Sequence, residues 1–205
     1  MRNNILKHLF LTCAVVSLVN FGASAIAATS EGSFSVRGIG GQTCETVLER
    51  LTEANSDTVV AELNGWVAGW LSHANREAAD TFDVHPLRSV SAISEVVSRL
   101  CAGNPKALLE TVMMISTASV GSGRVEGMSE VQIYTVGDAS FSMRNETMQD
   151  LQNVLVARGI LETKQADGVF GPATQTAIAE FQKLLALPET GRPDPLTLFL
   201  AFSDQ

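Results

Sequence analysis

The segment from Asn145 to Phe202 is punctuated so tightly that few folds can accommodate it. Asn145 is a helix N-cap candidate, followed by apolar residues at Met148, Leu151, Leu155 and Val156 at helical spacing and a stop at Gly159. Asp167-Gly168 then reads as a tight turn, since glycine tolerates positive φ and aspartate accepts backbone N–H groups. Gly171-Pro172 opens a second helix, with Ala177, Ile178, Phe181, Leu184 and Leu185 on its inner side, and Thr174 is placed to hydrogen-bond back into the turn. Asp194-Pro195 opens a third, where Leu196, Phe199, Leu200 and Phe202 complete a core. A unit this small folds only if all three helices give their apolar faces to one centre.

Residues 43–118 also carry helical spacing. Cys44, Val47, Leu48 and Leu51 share one face, and Leu63, Trp66, Val67, Trp70, Leu71 and Ala74 form a second stripe. Gly65 and Gly69 lie within that stripe's helix and are expected to let a neighbour approach closely. Val90, Ile93, Val96, Val97, Leu100 and Cys101 make a third stripe, which Gly103 stops. Asn104 as N-cap and Pro105 in the first turn predict a fourth helix with Leu108, Leu109, Val112 and Met113 buried. Residues 119–143 break the pattern. They are rich in glycine and contain one strand-like run, Val131 to Val136, with no visible partner.

The chain opens with Arg2 and Lys7, an apolar run from Leu9 to Val19 and an Ala25-Ile26-Ala27 site, which together describe a secretory signal cleaved near Ala27 or Ala28. The run is shorter than the roughly 20 residues of a membrane span. Cleavage moves the formal charge from −8 to −10, because Arg2 and Lys7 leave and no acid does. So acidic a chain is a poor partner for nucleic acid or anionic lipid. Cys13 leaves with the signal, and an exported protein left with Cys44 and Cys101 most simply forms one disulfide. A metal-binding or catalytic thiol is the alternative, and it lacks further ligands.

The order L-Q, D-G-x-x-G-x-x-T, F-Q in residues 151–182 resembles the small three-helix peptidoglycan-binding domain of bacterial cell-wall proteins. The resemblance implies a shallow groove for wall glycan or stem peptide. The motif residues it selects are Gln152, Asp167, Gly168, Gly171, Thr174, Phe181 and Gln182. Each also has a plain structural role, the turn residues as turn and cap, the glutamines as exposed polar side chains. The earlier part, with Thr43-Cys44, Gly65-Trp66-Val67-Ala68-Gly69-Trp70 and Cys101-Ala102-Gly103-Asn104-Pro105, resembles small periplasmic helical domains of the HdeA-like and Tai-immunity kind. That group includes acid-stress chaperones and toxin-binding immunity proteins.

The expected architecture is therefore all-α, with a signal at 1–28, a disulfide-bridged four-helix domain at 29–118, a linker at 119–143 and a three-helix peptidoglycan-binding domain at 144–205. Chemistry is sparse. The mature chain has only His73 and His85, and Asp83 beside His85 has no H-E-x-x-H or comparable metal spacing around it. A Cys44–His73 thiol pair would be disabled by the disulfide. Glu45, Glu49, Glu62 and Glu77 sit on helices rather than across a cleft, as glycoside hydrolysis requires. The reading is a non-catalytic periplasmic protein, with no metal and no cofactor, that binds peptidoglycan and offers a protein partner its N-terminal helices. Trp66 and Trp70, on one helix face, are that surface if exposed and core if not. A wall-concentrated chaperone or toxin inhibitor is the alternative, and a divergent wall hydrolase the third reading.

Overall fold

Four amphipathic helices, a β-hairpin and three further helices follow one another in the computed structural model, which describes residue 29 and residues 33–203. The proposed signal and its cleavage site lie outside the described residues. All the folded elements belong to the unit Val36–Gln205. Among the described residues, no helix is long and apolar enough to cross a membrane.

The first four helices are α1 (Cys44–Leu51), α2 (Ser56–Glu77), α3 (Val90–Gly103) and α4 (Leu109–Ser119). Cys44 and Cys101 are fully buried and joined by a disulfide that ties α1 to α3. Around it Val47, Leu63, Val67, Ile93, Val97, Leu109 and Met113 form the apolar core. Thr43 caps α1, its Oγ1 accepting from Thr46 N at 3.3 Å.

The fourth helix begins later than Asn104-Pro105 predicts. Asn104 instead closes α3, donating from Nδ2 to Leu100 O at 2.9 Å, and α4 starts at Leu109 with Leu108 as its N-cap. The freed turn has another task. Ala107 O and Pro105 O accept from Cys44 N (2.8 Å) and Glu45 N (2.9 Å), two donors that the first turn of α1 cannot satisfy itself.

Gly65 and Gly69 do not admit a neighbour. Both are exposed, and a Cβ at either would meet nothing within 4 Å. The close approach is at Gly40, in the 3₁₀ turn Gly38–Gly41, where a Cβ would stand 2.0 Å from the Trp66 ring. Trp66 is thus half-buried over that turn. Trp70 is half-buried too and packs against the core. Both rings wall the core rather than stand free.

The expectation of a wholly helical chain is corrected by a hairpin. The run Val131–Val136 (β1) pairs antiparallel with Ala139–Arg144 (β2), in register from Val131 opposite Arg144 to Val136 opposite Ala139. Gly137 and Asp138 form the two-residue loop, with Gly137 at φ +58°. A lone hairpin is marginal in water. Here Tyr134 and Phe141 stack with Phe170 at centroid distances of 5.2–5.5 Å, and Met143 is buried. The fold is therefore mostly helical with a small two-stranded sheet.

Three helices complete the chain: α5 (Asn145–Ala157), α6 (Pro172–Leu184) and α7 (Pro195–Phe202). Met148, Leu151, Leu155, Ala177, Ile178, Phe181, Phe199 and Phe202 share one core. Asn145 is the first residue of α5 rather than its cap, and Leu184 faces solvent. Pro172 and Pro195 each occupy a helix's first position, where the missing N–H costs nothing. α7 also packs against α3, and Phe202 closes over Gly123, where a Cβ would stand 2.6 Å from its ring.

Candidate functional site

Two buried glutamines organise the C-terminal helices, each by gripping a turn. Gln152 on α5 has no exposed surface. Its Oε1 accepts from Gly168 N at 2.6 Å. Its Nε2 lies 2.9 Å from both Val169 O and Thr174 Oγ1, and 3.3 Å from Asp167 Oδ1. Gly168, at φ +77°, supplies the left-handed bend that presents its N–H inward. Gln182 on α6 repeats the device and is equally buried. Its Oε1 accepts from Gly191 N at 2.9 Å, and its Nε2 lies 2.8 Å from Arg192 O and 3.0 Å from both Thr190 Oγ1 and Thr197 Oγ1. Gly191 has φ +64°.

The two grips share one spacing. Gly168, Pro172 and Thr174 stand to Gln152 as Gly191, Pro195 and Thr197 stand to Gln182. The pattern G-x-x-x-P-x-T therefore occurs twice, each time with a buried glutamine upstream. This repeat is present in the sequence, and the second copy is the part that motif reading misses. It is hidden because the loop between helix and turn is much longer in the first copy.

Of the seven motif residues, Gln152, Thr174, Phe181 and Gln182 are buried, Gly168 and Gly171 are partly covered, and only Asp167 is exposed. The glutamines were expected at the surface, and they lie inside because each amide satisfies a glycine N–H and a carbonyl of its turn. Asp167 Oδ1 accepts from Val169 N at 2.9 Å, and this bond, with the Gln152 contact, holds the carboxyl below its ordinary range. Arg158 lies over Phe181, 4.9 Å from the ring centroid.

The surroundings of the turns differ. The Gly191 turn faces α3, across a cleft bordered by Glu95 and Arg99. The Gly168 turn faces the hairpin, across a groove of about 450 Å³ whose walls include Gln132, Tyr134, Asn145, Asp167 and Val169.

Residues 144–199 match the family model described as "Putative peptidoglycan binding domain". The matched segment thus takes in α5, α6, both gripped turns and most of α7, and leaves out nearly all of the hairpin. Over 59 residues the chain is 41% identical to "Putative OxPP cycle protein OpcA" of Synechococcus elongatus. That alignment covers 29% of this chain and 13% of the relative's length. No solved structure matches the chain.

The residues considered for chemistry all lie outside this segment. Cys44 is in the disulfide, so no thiolate faces His73. Asp83 Oδ1 accepts from His85 N at 3.2 Å and from Asn75 Nδ2 at 3.4 Å, a loop-fixing arrangement rather than a carboxylate–imidazole pair. Burial raises the Asp83 carboxyl, and these hydrogen bonds oppose the rise. The His85 ring is 1% exposed, its Nδ1 accepts from Leu87 N at 3.1 Å, and its Nε2 has no partner among the described residues. Burial lowers its pKa to about 4, so it is neutral at pH 7.

Proposed function

We propose that this is a non-catalytic exported protein that binds peptidoglycan through residues 144–205 and presents its disulfide-bridged N-terminal helices to a protein partner in the periplasm. The match of residues 144–199 to a wall-binding family carries the reading. The gripped turns support it by fixing a rigid rim on which wall contacts can form without ordering a loop on binding. In this reading Gln152, Gly168, Gly171, Thr174, Phe181 and Gln182 shape the surface, and Asp167 touches the wall. The domain boundaries at 29–118, 119–143 and 144–205 belong to the same proposal.

The partner surface moves away from Trp66 and Trp70, which are committed to the core. Met114 and Ile115 on α4 are 48% and 56% exposed and offer an apolar patch instead.

One observation favours the chaperone-like alternative. A buried neutral histidine without an Nε2 partner makes the N-terminal helices sensitive to acid, as an HdeA-like role requires.

Co-sedimentation of the signal-free protein with purified sacculi tests the main reading. The expected result is saturable pelleting that soluble wall fragments compete away. A protein that stays in the supernatant at excess sacculi overturns it, and leaves the N-terminal helices as the place to seek function.

A further inference from the structure

The groove beside the Gly168 turn is built largely of unspent hydrogen-bonding groups. Gln152 and Gln182 have exhausted theirs on the turns. By contrast, the side chains of Gln132, Tyr134 and Asn145 make no hydrogen bond to another described residue, and Asp167 uses only Oδ1. All four border one groove of about 450 Å³, within the roughly 300–1,000 Å³ common for ligand sites. The Tyr134 ring packs in a three-way cluster with Phe141 and Phe170, which also contact each other, so its hydroxyl is held in place before any ligand arrives. Gln132 and Tyr134 lie on β1, upstream of the segment that matches the family.

Charge narrows the ligand. Glu146 and Asp167 border the groove, and no lysine or arginine does. A stem peptide with several carboxylates would meet like charge there, whereas acetamido and hydroxyl groups pair with amides, a phenol and a carboxylate without a charge cost. Val169, 59% exposed at the rim, offers apolar contact for a sugar face. A second cleft, of about 360 Å³ between Pro86, Phe141 and Pro193, is less suited, because Arg88 on its wall already donates to Ser142 Oγ at 2.8 Å.

We infer that the hairpin completes a groove for the N-acetylated glycan strand of the wall, with Gln132 and Tyr134 as ligand-contacting residues. This inference rests on the wall-binding reading above. The test uses the full signal-free chain, wild type and the Gln132→Ala/Tyr134→Phe double variant, which keeps the aromatic cluster. Each is titrated with the N-acetylglucosamine tetramer and with a free stem tripeptide, and pelleted with sacculi.

The expected result is binding of the tetramer, weakened about tenfold in the double variant by the loss of two hydrogen-bonding groups, with a parallel loss of pelleting and an unchanged melting temperature. Failure of the tetramer to bind, or binding of the tripeptide alone, overturns the glycan assignment. If wild type and variant pellet equally, the hairpin has no part while wall binding stands. If wild type itself does not pellet, the wall-binding reading falls and this inference with it.

Discussion

The helices α1–α4 and the helices α5–α7 solve the same problem by opposite means. Their buried residues join in one core, and each set contributes a small part of it. The first closes with a covalent bridge between Cys44 and Cys101, whose positions are 57 residues apart. The second has no cysteine and closes with two buried amides that each grip a turn. A disulfide acts chiefly by restricting the unfolded chain and requires an oxidising compartment. An amide grip acts in the folded state and is indifferent to redox conditions. The difference predicts that α5–α7 keep their shape under reducing conditions that loosen α1–α4.

The sharpest way to break that comparison is to remove the bridge. Cys44→Ala/Cys101→Ala should cost the N-terminal helices about 4 kcal/mol on the chain-entropy estimate for a loop of this length. Both tryptophans, Trp66 and Trp70, lie on α2, so urea unfolding followed by tryptophan fluorescence reports this half. Amide hydrogen exchange in α5 and α6 should change far less. Equal loss of protection in α5 and α6 would show that the packing of α7 on α3 joins the halves into one cooperative unit.

Removing a grip is the converse experiment. Gln152→Ala leaves Gly168 N–H without its acceptor, takes the amide donor from Val169 C=O and Thr174, and opens a cavity, at a cost of about 3 kcal/mol. Gln182→Ala should cost a similar amount, because its partners are equivalent. Thermal melts of both variants decide whether the repeat is energetic as well as geometric. A variant with normal stability but lost sacculus binding would make that glutamine a ligand contact and break the structural assignment.

Acid separates the halves in a third way. His85 has a folded pKa of about 4 against 6.5 for the free side chain. Below pH 6.5 the unfolded chain therefore binds a proton that the folded chain refuses, and stability falls until pH reaches the folded value. The loss is about 2 kcal/mol by pH 5. Asp83 and Glu110 work in the other direction. Burial raises both, so folding favours their protonated forms and acid relieves a penalty as pH falls through their folded values. Of these three groups, His85 alone makes the folded state sensitive to acid. Urea midpoints between pH 7 and 5 should fall in the wild type and stay nearly level in His85→Asn, which keeps an acceptor for Leu87 N. A wild-type midpoint that does not fall would remove the basis for the chaperone-like alternative.

Much of this was legible in the residues, and what was not has a physical cause. Apolar spacing located all seven helices, and the D-G-x-x-G-x-x-T run located the first turn. Helix starts were less legible. Asn104-Pro105 looks like an N-cap pair, but the Pro105 carbonyl serves α1 and the Asn104 side chain α3, and no local pattern records a debt owed elsewhere in the chain. β2 escaped because A-S-F-S-M-R has no β-branched residue, although it alternates and follows a Gly-Asp loop. The glutamines escaped for a different reason. A polar residue at the edge of an apolar stripe is ordinarily solvated, and only the position of a distant turn makes burial favourable. The groove draws on β1, α5 and the turn together, so it became visible only once the hairpin had a partner.

The smallest effect concerns α2. Gly65 and Gly69 interrupt a 22-residue helix on its exposed side with open space above each. Glycine in a helix interior is less favourable than alanine by about 1 kcal/mol. Gly65→Ala and Gly69→Ala should therefore each stabilise the N-terminal helices by up to about that amount, since no neighbour opposes the added methyl. Urea unfolding followed by tryptophan fluorescence measures this, and sacculus binding should be untouched because the groove is built from β1, α5 and the Gly168 turn. A gain in stability in both variants would leave the bundle's own packing no reason to keep glycine there. A loss in either would mean that something packs against this face in solution, and the account of α2 as a helix with a bare outer side would have to give way.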